Sequence, residues 1–320
     1  MSKIPQITFF WNGHNCFFIS AIHAALSLNT INDYLYKLYS QIPKNDESIN
    51  HTVTRDIAAI SDFLTNYSKP EQVKLVINHL FKHFEHDETL VEPDGTGNGD
   101  LMLFRIIDAI TSEYKDVPFT RLVPRGVRPN FYFKVVSSYT CKNDHTGPGS
   151  KTVIFNLSNG LPFIELNTGM ISDNIVRIET ILPNDLIIKT HIKALCPMCG
   201  DTDSIYTTSS TICDALIVHI HNGYKQIEKE IENVCECVKE MTYNGNDKKS
   251  YNFLLKSILF STAVPGRTGH YWNYMLCKNN QWYKFDKNEI TPINTPNRLN
   301  TVDDDVAFDI KLFYDVNEVK

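Results

Sequence analysis

Cysteine and histidine are the residues in this sequence that could together supply a nucleophile and its base. Of the eight cysteines, Cys16 begins the run CFFISAIHAAL, whose small and apolar residues predict a helix buried on most of its surface. A thiol in the first turn of a helix lies at the positive end of the helix dipole, which lowers its pKa and favours the thiolate. Cys16 is therefore the candidate nucleophile.

A thiolate nucleophile needs a base, and the base needs a third group that fixes its tautomer. Among the eleven histidines, His270 lies in a strand-like GHYWNYM that follows a glycine-bearing turn, PGRTG. A hairpin partner strand, WYKFD, would bring Asp286 alongside it. Taken singly, a buried cysteine, a core histidine and a turn aspartate are more often structural than catalytic, so these residues alone leave both interpretations open.

Four further residues have the types and spacing of a metal site. CPMCG supplies Cys196 and Cys199, and CKNDH supplies Cys141 and His145 about fifty residues earlier. A tetrahedral zinc ion takes such a Cys3His set, and two ligand pairs on neighbouring β-turns would stabilise the ends of marginal hairpins. The other interpretation is that both segments are ordinary turns.

The elements that must position these groups change character along the chain. Residues 31–42, 53–67, 71–84 and 100–114 repeat apolar residues at three-and-four spacing and predict helices. From about residue 128, short β-rich runs predominate, and residues 175–182 are one of them. One further helix is predicted at 224–241, and a hairpin after His270 has WYKFDKNEITPI as its second strand. The acidic segment after Pro296 is expected to be a surface tail. A helical front and a β-rich back predict an α+β fold.

Composition excludes several classes of function. The chain has 320 residues, a formal net charge of -6 and no basic block, so the electrostatic signature of nucleic-acid binding is missing. The first residues do not have the pattern of a signal peptide, and no apolar run reaches the length of a membrane span. We expect a protein of the cytoplasm or nucleus that binds neither nucleic acid nor membrane.

Two segments together resemble the Cys box and His box of the ubiquitin-specific proteases. GHNCFFISAIHAAL and, about 250 residues later, GHYWNYMLCKNNQWYKFD agree with that family in order, spacing and local pattern. The segment YNFLLKSILFSTAVPGRTGHY extends the resemblance upstream, and GTGNGDLMLFRIIDAI and CDALIVHIH agree more weakly with other parts of the family. The resemblance gives Cys16, His270 and Asp286 the roles of a catalytic triad.

One position departs from the family pattern. The family usually stabilises the oxyanion with an Asn side chain five residues before the nucleophile, where this sequence has Trp11. The nearest asparagine is one residue later, so Asn12 is the candidate for the oxyanion hole, with His14 and Asn15 as alternatives. Loss of one oxyanion donor typically costs about 100- to 1000-fold in rate.

The resemblance also implies a fold, a substrate and partners. It implies one papain-like catalytic domain over 1–320, with a helical thumb at about 1–125, β-rich fingers at about 128–225 and a palm at about 226–320. It further implies a monomeric deubiquitinase that needs no catalytic cofactor, binds ubiquitin or its conjugates and holds a structural zinc ion in the fingers. The alternatives are a ubiquitin-binding protein with little or no turnover, and a papain-like protease acting on another ubiquitin-like modifier or polypeptide. The divergent motifs suit a viral source, in which case the protein would act in the host cell.

Overall fold

The computed structural model of the chain has an α+β architecture. It describes residues 14–39, 52–66, 70–92, 95–112, 133–141, 143, 145–155, 164–167, 192–194, 196, 198–200, 204–211, 214–221, 240–244, 250–262, 269–277, 279–294 and 309–319. Within these residues five helices come first in the chain and twelve strands follow them. The fold class that the sequence predicts is therefore confirmed.

The five helices match the predicted helical runs to within about three residues at either end. They are α1 (Cys16–Ser27), α2 (Asn29–Tyr39), α3 (Thr52–Asn66), α4 (Pro70–Lys82) and α5 (Gly99–Ser112). The longest has 15 residues. In the described part of the chain, no helix has the length and apolar character needed to cross a membrane.

Helix α1 lies between other helices and the larger sheet. Every residue after Cys16 in this helix is buried, as expected for a sequence without a polar face. It packs against α2 and α5 on the helical side and against two strands on the other side. Phe17, Phe18 and Ile22 are among the largest fully buried side chains. The first residue of this helix is therefore held by the main hydrophobic core.

The strands form two sheets. Their bounds are β1 (Phe133–Thr140), β2 (Thr146–Phe155), β3 (Ile164–Asn167), β4 (Ile192–Ala194), β5 (Ser204–Thr211), β6 (Ala215–His221), β7 (Glu240–Asn244), β8 (Ser250–Ser261), β9 (Tyr271–Leu276), β10 (Trp282–Asp286), β11 (Glu289–Ile293) and β12 (Asp309–Val319). A four-stranded antiparallel sheet has the order β2-β1-β5-β4. The eight-stranded sheet has the order β11-β10-β9-β8-β12-β6-β3, and β7 pairs with β8.

The larger sheet is antiparallel except at one edge. Strand β3 runs parallel to β6, whereas the other pairs are antiparallel. Helix α1 contacts β8 and β9, two of its inner strands. This contact places the start of α1 beside the strand that follows His270.

Strand β12 corrects the prediction that the chain ends in a surface tail. It pairs with β8 on one side and β6 on the other, and residues 310–316 are buried. Two of these buried residues are charged, so the sequence lacks the apolar pattern that would predict a strand here. Lys311 is 1% exposed and its Nζ lies 2.6 Å from Oδ1 of Asp100, in the first turn of α5. A buried charge of this kind is tolerated because it is paired.

The second charged residue of β12 binds the start of another helix. Asp315 is 2% exposed, and its carboxylate accepts hydrogen bonds from the backbone N–H groups of Asn29 at 3.1 Å and Thr30 at 3.4 Å. These N–H groups belong to the first turn of α2, where a helix has no internal acceptors for them. Strand β12 therefore holds the N-termini of two helices against the sheet.

Two other predictions need correction or fall outside the described residues. The run WYKFDKNEITPI was expected to be one strand, but it forms β10 and β11 around a turn in which Lys287 has a φ of 54°. The helix predicted at 224–241 lies outside the described residues except at its end, where Glu240 and Met241 are in β7. The predicted strand at 175–182 is also outside them, as are both predicted divisions between thumb, fingers and palm, which stay predictions.

Candidate active site

The candidate nucleophile occupies the first position of α1. Cys16 is half-buried and has a free thiol. Asn15 precedes it as the N-cap residue, and its carbonyl accepts the first helical hydrogen bond from the N–H of Ile19 at 3.0 Å. N–H groups in the first turn of a helix point away from its body and carry partial positive charge. The thiol of Cys16 thus lies at the N-terminal end of α1, beside these N–H groups.

The candidate base and acid are in direct contact. Nε2 of His270 lies 2.6 Å from Oδ1 of Asp286. The other carboxylate oxygen of Asp286 lies 3.4 Å from Nζ of Lys284, two residues earlier on the same face of β10. The thiol of Cys16 is near enough to His270 to contribute to the raised pKa of its imidazole. The structure therefore brings Cys16, His270 and Asp286 together, as the sequence predicts.

The register of the β9–β10 hairpin explains why His270 meets Asp286. Phe285 lies opposite Asn273, so Asp286 comes level with Trp272, which shares a face with His270. Residues diagonal to one another across an antiparallel pair are within reach of long or aromatic side chains. The rings of His270 and Trp272 are also stacked at a centroid distance of 5.7 Å. A shift of one residue in this pairing would separate base from acid.

Electrostatics favour a charged His270. Burial opposes the charge and lowers its pKa, but hydrogen bonds to Asp286 and Cys16, and the charges of both groups, together raise it to about 9. For Asp286, burial raises the pKa, but this is outweighed by the hydrogen bond and charge of His270 and by Lys284, which leave the pKa below its usual value. At neutral pH the pair is therefore an imidazolium beside a carboxylate.

Two further contacts position His270, and the sequence did not indicate either. Asn273 is fully buried, and its Nδ2 donates to the backbone carbonyl of Ser20 on α1 at 3.1 Å. The N–H of His270 donates to Oγ1 of Thr262 at 2.8 Å, and the N–H of Thr262 donates to the carbonyl of His270 at 2.9 Å. The first contact joins the histidine strand to the cysteine helix. A buried asparagine within a strand is the one signal that could have indicated it.

A small cavity of about 10 Å³ lies beside the thiol. Cys16, His23, Tyr271 and Phe285 are among its lining residues. Its volume is about that needed for one water molecule. Burial lowers the pKa of His23 to about 3, so this histidine is neutral at physiological pH. His23 packs against Phe285 and lacks the proton that a general acid must donate, in contrast to His270.

The first turn of α5 approaches the residue after His270 closely. A Cβ atom on Gly99 would lie 2.5 Å from Cε1 of Tyr271, so only glycine permits this contact. Burial, followed by the charge of Asp100, raises the pKa of Tyr271 and keeps its hydroxyl protonated. Helix α5 is thereby packed directly against the strand that begins just after the candidate base.

The structure describes two of the three candidates for the oxyanion hole. Asn12 and Trp11 lie outside the described residues. His14 is exposed, and Asn15 is buried at the helix N-cap. The Asn12 assignment therefore stays a prediction.

The four candidate metal ligands lie together at one end of the smaller sheet. Thr140 pairs with Ile205 and Ala194 with Ser204, so the turns after β1 and after β4 lie side by side. Sγ of Cys141 lies 3.5 Å from Nδ1 of His145 and 3.8 Å from Sγ of Cys199.

These distances fit a tetrahedral ion. Ideal zinc bond lengths place two sulfur ligands roughly 3.8 Å apart and a sulfur and a nitrogen ligand roughly 3.6 Å apart. The third cysteine, Cys196, has its Sγ 4.0 Å from Nδ1 of His145. Asn143 adds an amide N–H to Sγ of Cys199 at 3.4 Å, as an outer residue that orients a ligand would. This Cys3His cluster can hold a metal ion.

Comparisons with known proteins agree with this architecture. The fold is similar to a chain of the SAGA DUB module Ubp8/Sgf11/Sus1/Sgf73 bound to monoubiquitin, with a TM-score of 0.62 and 16% identity, covering 99% of this chain and 71% of that chain. The module bound to ubiquitin aldehyde gives a TM-score of 0.62 and 14% identity, with 100% and 72% coverage. The yeast module with an Sgf73 mutant gives 0.59 and 14%, with 99% and 71% coverage. At these identities the likeness shows the fold.

Sequence comparisons give the family. No curated protein matches the sequence. A model of the ubiquitin carboxyl-terminal hydrolase family, however, matches residues 11–311, a span that includes Cys16, His270, Asp286 and the Cys3His cluster. The chain therefore belongs to the ubiquitin carboxyl-terminal hydrolase family.

Proposed function

We propose that this protein is a thiol-dependent ubiquitinyl hydrolase that cleaves isopeptide or peptide bonds after the C-terminal glycine of ubiquitin. The observation that supports this best is the placing of Cys16 at the start of a buried helix beside His270, whose Nε2 is hydrogen-bonded to Asp286, in a chain of this family. Structures of the similar Ubp8 module contain monoubiquitin or ubiquitin aldehyde, which supports ubiquitin as the substrate here.

The first chemical step is acylation of Cys16. Because Nε2 of His270 is bonded to Asp286, Nδ1 is the nitrogen that faces the thiol. The thiolate of Cys16 attacks the carbonyl carbon of the terminal glycine, and the carbonyl electrons move onto oxygen. When the tetrahedral intermediate collapses, the C–N bond breaks and the imidazolium of His270 gives its proton to the leaving lysine amine. A thioester between ubiquitin and Cys16 remains.

The second step is hydrolysis of that thioester. Neutral His270 accepts a proton from a water molecule, whose oxygen attacks the same carbonyl carbon. The C–S bond then breaks, which restores the thiolate beside the imidazolium and releases the glycine carboxylate of ubiquitin. Asp286 keeps its charge throughout and holds the imidazole ring in the required orientation. No cofactor takes part in either step.

Labelling with a ubiquitin C-terminal electrophile tests the nucleophile and the substrate together. We expect one covalent adduct, located at Cys16 by peptide mass spectrometry. Cys277 is the matched control, because it is also a half-buried free thiol but burial raises its pKa to about 12. Cys277→Ser should label normally, whereas Cys16→Ser should not label.

The same experiment separates the other functions considered above. Labelling at Cys16 without turnover of ubiquitin-amidocoumarin would indicate a ubiquitin-binding protein with weak catalysis. Absence of labelling by ubiquitin, together with labelling by the electrophile of another ubiquitin-like modifier, would reassign the substrate. Labelling of Cys277 in place of Cys16 would contradict the proposed nucleophile.

We also propose that the Cys3His cluster holds a structural zinc ion. Four ligands leave no coordination position for a reacting water, and the cluster lies in the smaller sheet, whereas Cys16 and His270 adjoin the larger sheet. Metal analysis of protein purified without chelator should give zinc at this cluster. The five described cysteines are free thiols, which suits the reducing compartment proposed for the protein, the cytoplasm or nucleus. The monomeric state stays a prediction, since the similar Ubp8 chains come from multi-subunit modules.

A further inference from the structure

Helices α3 and α4 present a carboxylate and two imidazoles around one point, away from the residues of the triad. Asp56 on α3 is 6% exposed. His79 lies in the last turn of α4, and His83 follows four residues later, just beyond the end of the helix. Residues four apart on a helix lie on the same face, so both imidazoles can approach the carboxylate.

Both imidazoles approach the same oxygen atom. Nδ1 of His79 lies 2.6 Å from Oδ2 of Asp56, and Nε2 of His83 lies 3.8 Å from it. The three donor atoms lie within 4.8 Å of one another. Arg55 has its Nε 4.0 Å from the other oxygen of this carboxylate, Oδ1. Oδ2 is therefore directed toward the two rings.

We propose that Asp56, His79 and His83 bind a divalent transition-metal ion, with Zn²⁺ the best fit. Two imidazole nitrogens and one carboxylate oxygen are the ligand set that zinc takes when one coordination position is left for water. With metal–ligand bonds of about 2.0–2.1 Å, neighbouring donors in a tetrahedral site lie roughly 3.3 Å apart. The observed 2.6 and 3.8 Å lie on either side of that value.

Small side-chain movements would complete the geometry. The side chain of His79 is 54% exposed and that of His83 is 27% exposed. A small rotation of each side chain, which moves its ring nitrogen by less than about 1 Å, therefore need not disturb the core. The ring centroids are 5.1 Å apart and the ring planes are nearly perpendicular, so the two rings meet edge to face beside the carboxylate. A simple hydrogen bond between Asp56 and His79 would not explain why His83 approaches the same oxygen atom, whereas a shared metal ion would.

Bound metal would connect two helices that support the cysteine helix. Asp56 belongs to α3, whereas His79 is in α4 and His83 directly follows it. Two phenylalanines near the end of α4 pack on Phe18 of α1, with ring centroids at 5.2 Å for Phe81 and 6.3 Å for Phe84. The ion would therefore brace the helical layer from outside, and its open position would face solvent.

Zinc and cobalt binding to the full chain, at buffered concentrations of free metal, tests the proposal. We expect one equivalent of metal to bind at this site in addition to any metal in the Cys3His cluster. When the metal is Co²⁺, this thiolate-free equivalent should show no sulfur-to-metal charge-transfer band, whereas Co²⁺ in the Cys3His cluster should show one. His79→Gln, His83→Gln and Asp56→Asn should each weaken this equivalent by at least about tenfold, since even residues outside the ligand set can cost that much. The thiolate-linked band and turnover without added metal should be unchanged in these variants.

His86→Gln is the matched control. His86 lies three residues beyond His83, its side chain is 89% exposed, and it is not part of the cluster. This variant should bind the thiolate-free equivalent as tightly as the wild type. Far-UV circular dichroism verifies folding, and His83→Gln is informative even if His79→Gln unfolds, because residue 83 lies outside the helix.

Two results would overturn the proposal. One is a wild-type protein whose bound cobalt is all thiolate-linked. The other is a thiolate-free equivalent that His83→Gln weakens no more than His86→Gln does. Because the cobalt band of the Cys3His cluster is recorded separately, failure of that structural zinc site would not be mistaken for failure of this one.

Discussion

The proposed mechanism requires two things of His270, a fixed ring orientation and a bound proton at neutral pH. Asp286 meets both, because its Oδ1 binds Nε2 of His270 and its charge raises the pKa of the imidazole. Burial raises the pKa of Asp286 itself, whereas Lys284, which lies beside Oδ2, lowers it. Substituting Asp286 by a neutral isostere therefore separates the charge from the shape.

Asp286→Asn should lower kcat/KM for ubiquitin-amidocoumarin and shift the alkaline limb of its pH profile downward. In the wild type this limb should lie near pH 9, the pKa of His270, because the reaction needs the imidazolium as a proton donor. Removal of a charge that raises this pKa allows deprotonation at a lower pH. The loss in rate should be roughly 100-fold smaller than that of His270→Ala, since an orienting acid is partly replaceable. An unshifted limb would show that Asp286 does not set the charge of His270.

The sequence was sufficient to predict that Cys16, His270 and Asp286 lie together, but not the contacts that align them. Cys16, His270 and Asp286 stand in segments whose order and spacing carry the family resemblance, and a hairpin prediction places the last two together. The contacts of Thr262 and Asn273 depend on which backbone carbonyl or N–H faces them across two elements. No periodicity encodes that information. The oxyanion donor stays open because Asn12 is outside the described residues.

Among the elements, α1 and β9 matter most to the site because one begins at the nucleophile and the other begins just after the base. A hydrogen bond from Asn273 to the carbonyl of Ser20 joins them. It acts three residues after His270 and four residues after Cys16, close to both reacting groups. It therefore fixes the separation between thiol and imidazole as well as contributing to stability.

Asn273→Ala should destabilise the fold by about 1–3 kcal/mol, because it removes a buried hydrogen bond. It should also slow labelling of Cys16 by the ubiquitin electrophile, whereas a purely structural residue would leave labelling of the folded fraction unchanged. Asn279→Ala is the control, since it removes a side-chain hydrogen bond to Tyr283 in the same hairpin without touching α1. Urea unfolding and labelling rates measure the two effects. Equal labelling rates in both variants would assign Asn273 to stability alone.

Elements with strong periodicity were predicted closely, and those without it were missed. Helices α2 to α5 agree with apolar repeats at three-and-four spacing, and α1 and β6 agree with continuous apolar runs. Strand β5, SIYTTSST, has few apolar residues and pairs within the smaller sheet, so no alternation marks it. Strand β12 was mistaken for a tail because Lys311 and Asp315 interrupt its apolar residues. Their partners are at helix N-termini, which become visible only in three dimensions.

At the scale of the whole molecule, the ion pair between Lys311 and Asp100 joins the helical layer to the sheet. The two members differ in exposure, since the side chain of Lys311 is 1% exposed and that of Asp100 is 21% exposed. His219 and Asp309 lie nearby, with Nε2 of the first 3.4 Å from Oδ1 of the second. The energetic effect of breaking the pair should therefore depend on which charge is left behind.

Asp100→Asn should destabilise the protein by about 3–5 kcal/mol, because it leaves a fully buried ammonium without its carboxylate. Lys311→Met should cost less, since water can reach the carboxylate that remains. The double variant should recover part of the loss, because neither charge is then left alone. Urea unfolding of all four proteins gives the coupling free energy. Additive effects would show that the pair does not act as a unit.

The two sheets predict a second whole-molecule effect. The Cys3His cluster lies at the end of the four-stranded sheet, whereas Cys16 and His270 adjoin the eight-stranded sheet. Removal of zinc by a chelator should therefore raise KM for ubiquitin substrates more than it lowers kcat, because the triad is untouched. Steady-state kinetics before and after re-addition of zinc measure this. A fall in kcat with constant KM would contradict a purely structural ion.

The central position of β12 has a consequence for synthesis of the protein. Both of its neighbours, β6 and β8, precede it in the chain, as do Cys16, His270 and Asp286. A ribosome therefore releases all three reacting groups before it releases the strand that completes the sheet and binds the starts of α2 and α5. Because long-range pairing of this kind must wait for the later segment, the nascent chain has its thiol before it has the alignment that the thiol needs. We expect proteolytic activity to begin only after residues 309–319 have emerged from the ribosome and joined the sheet.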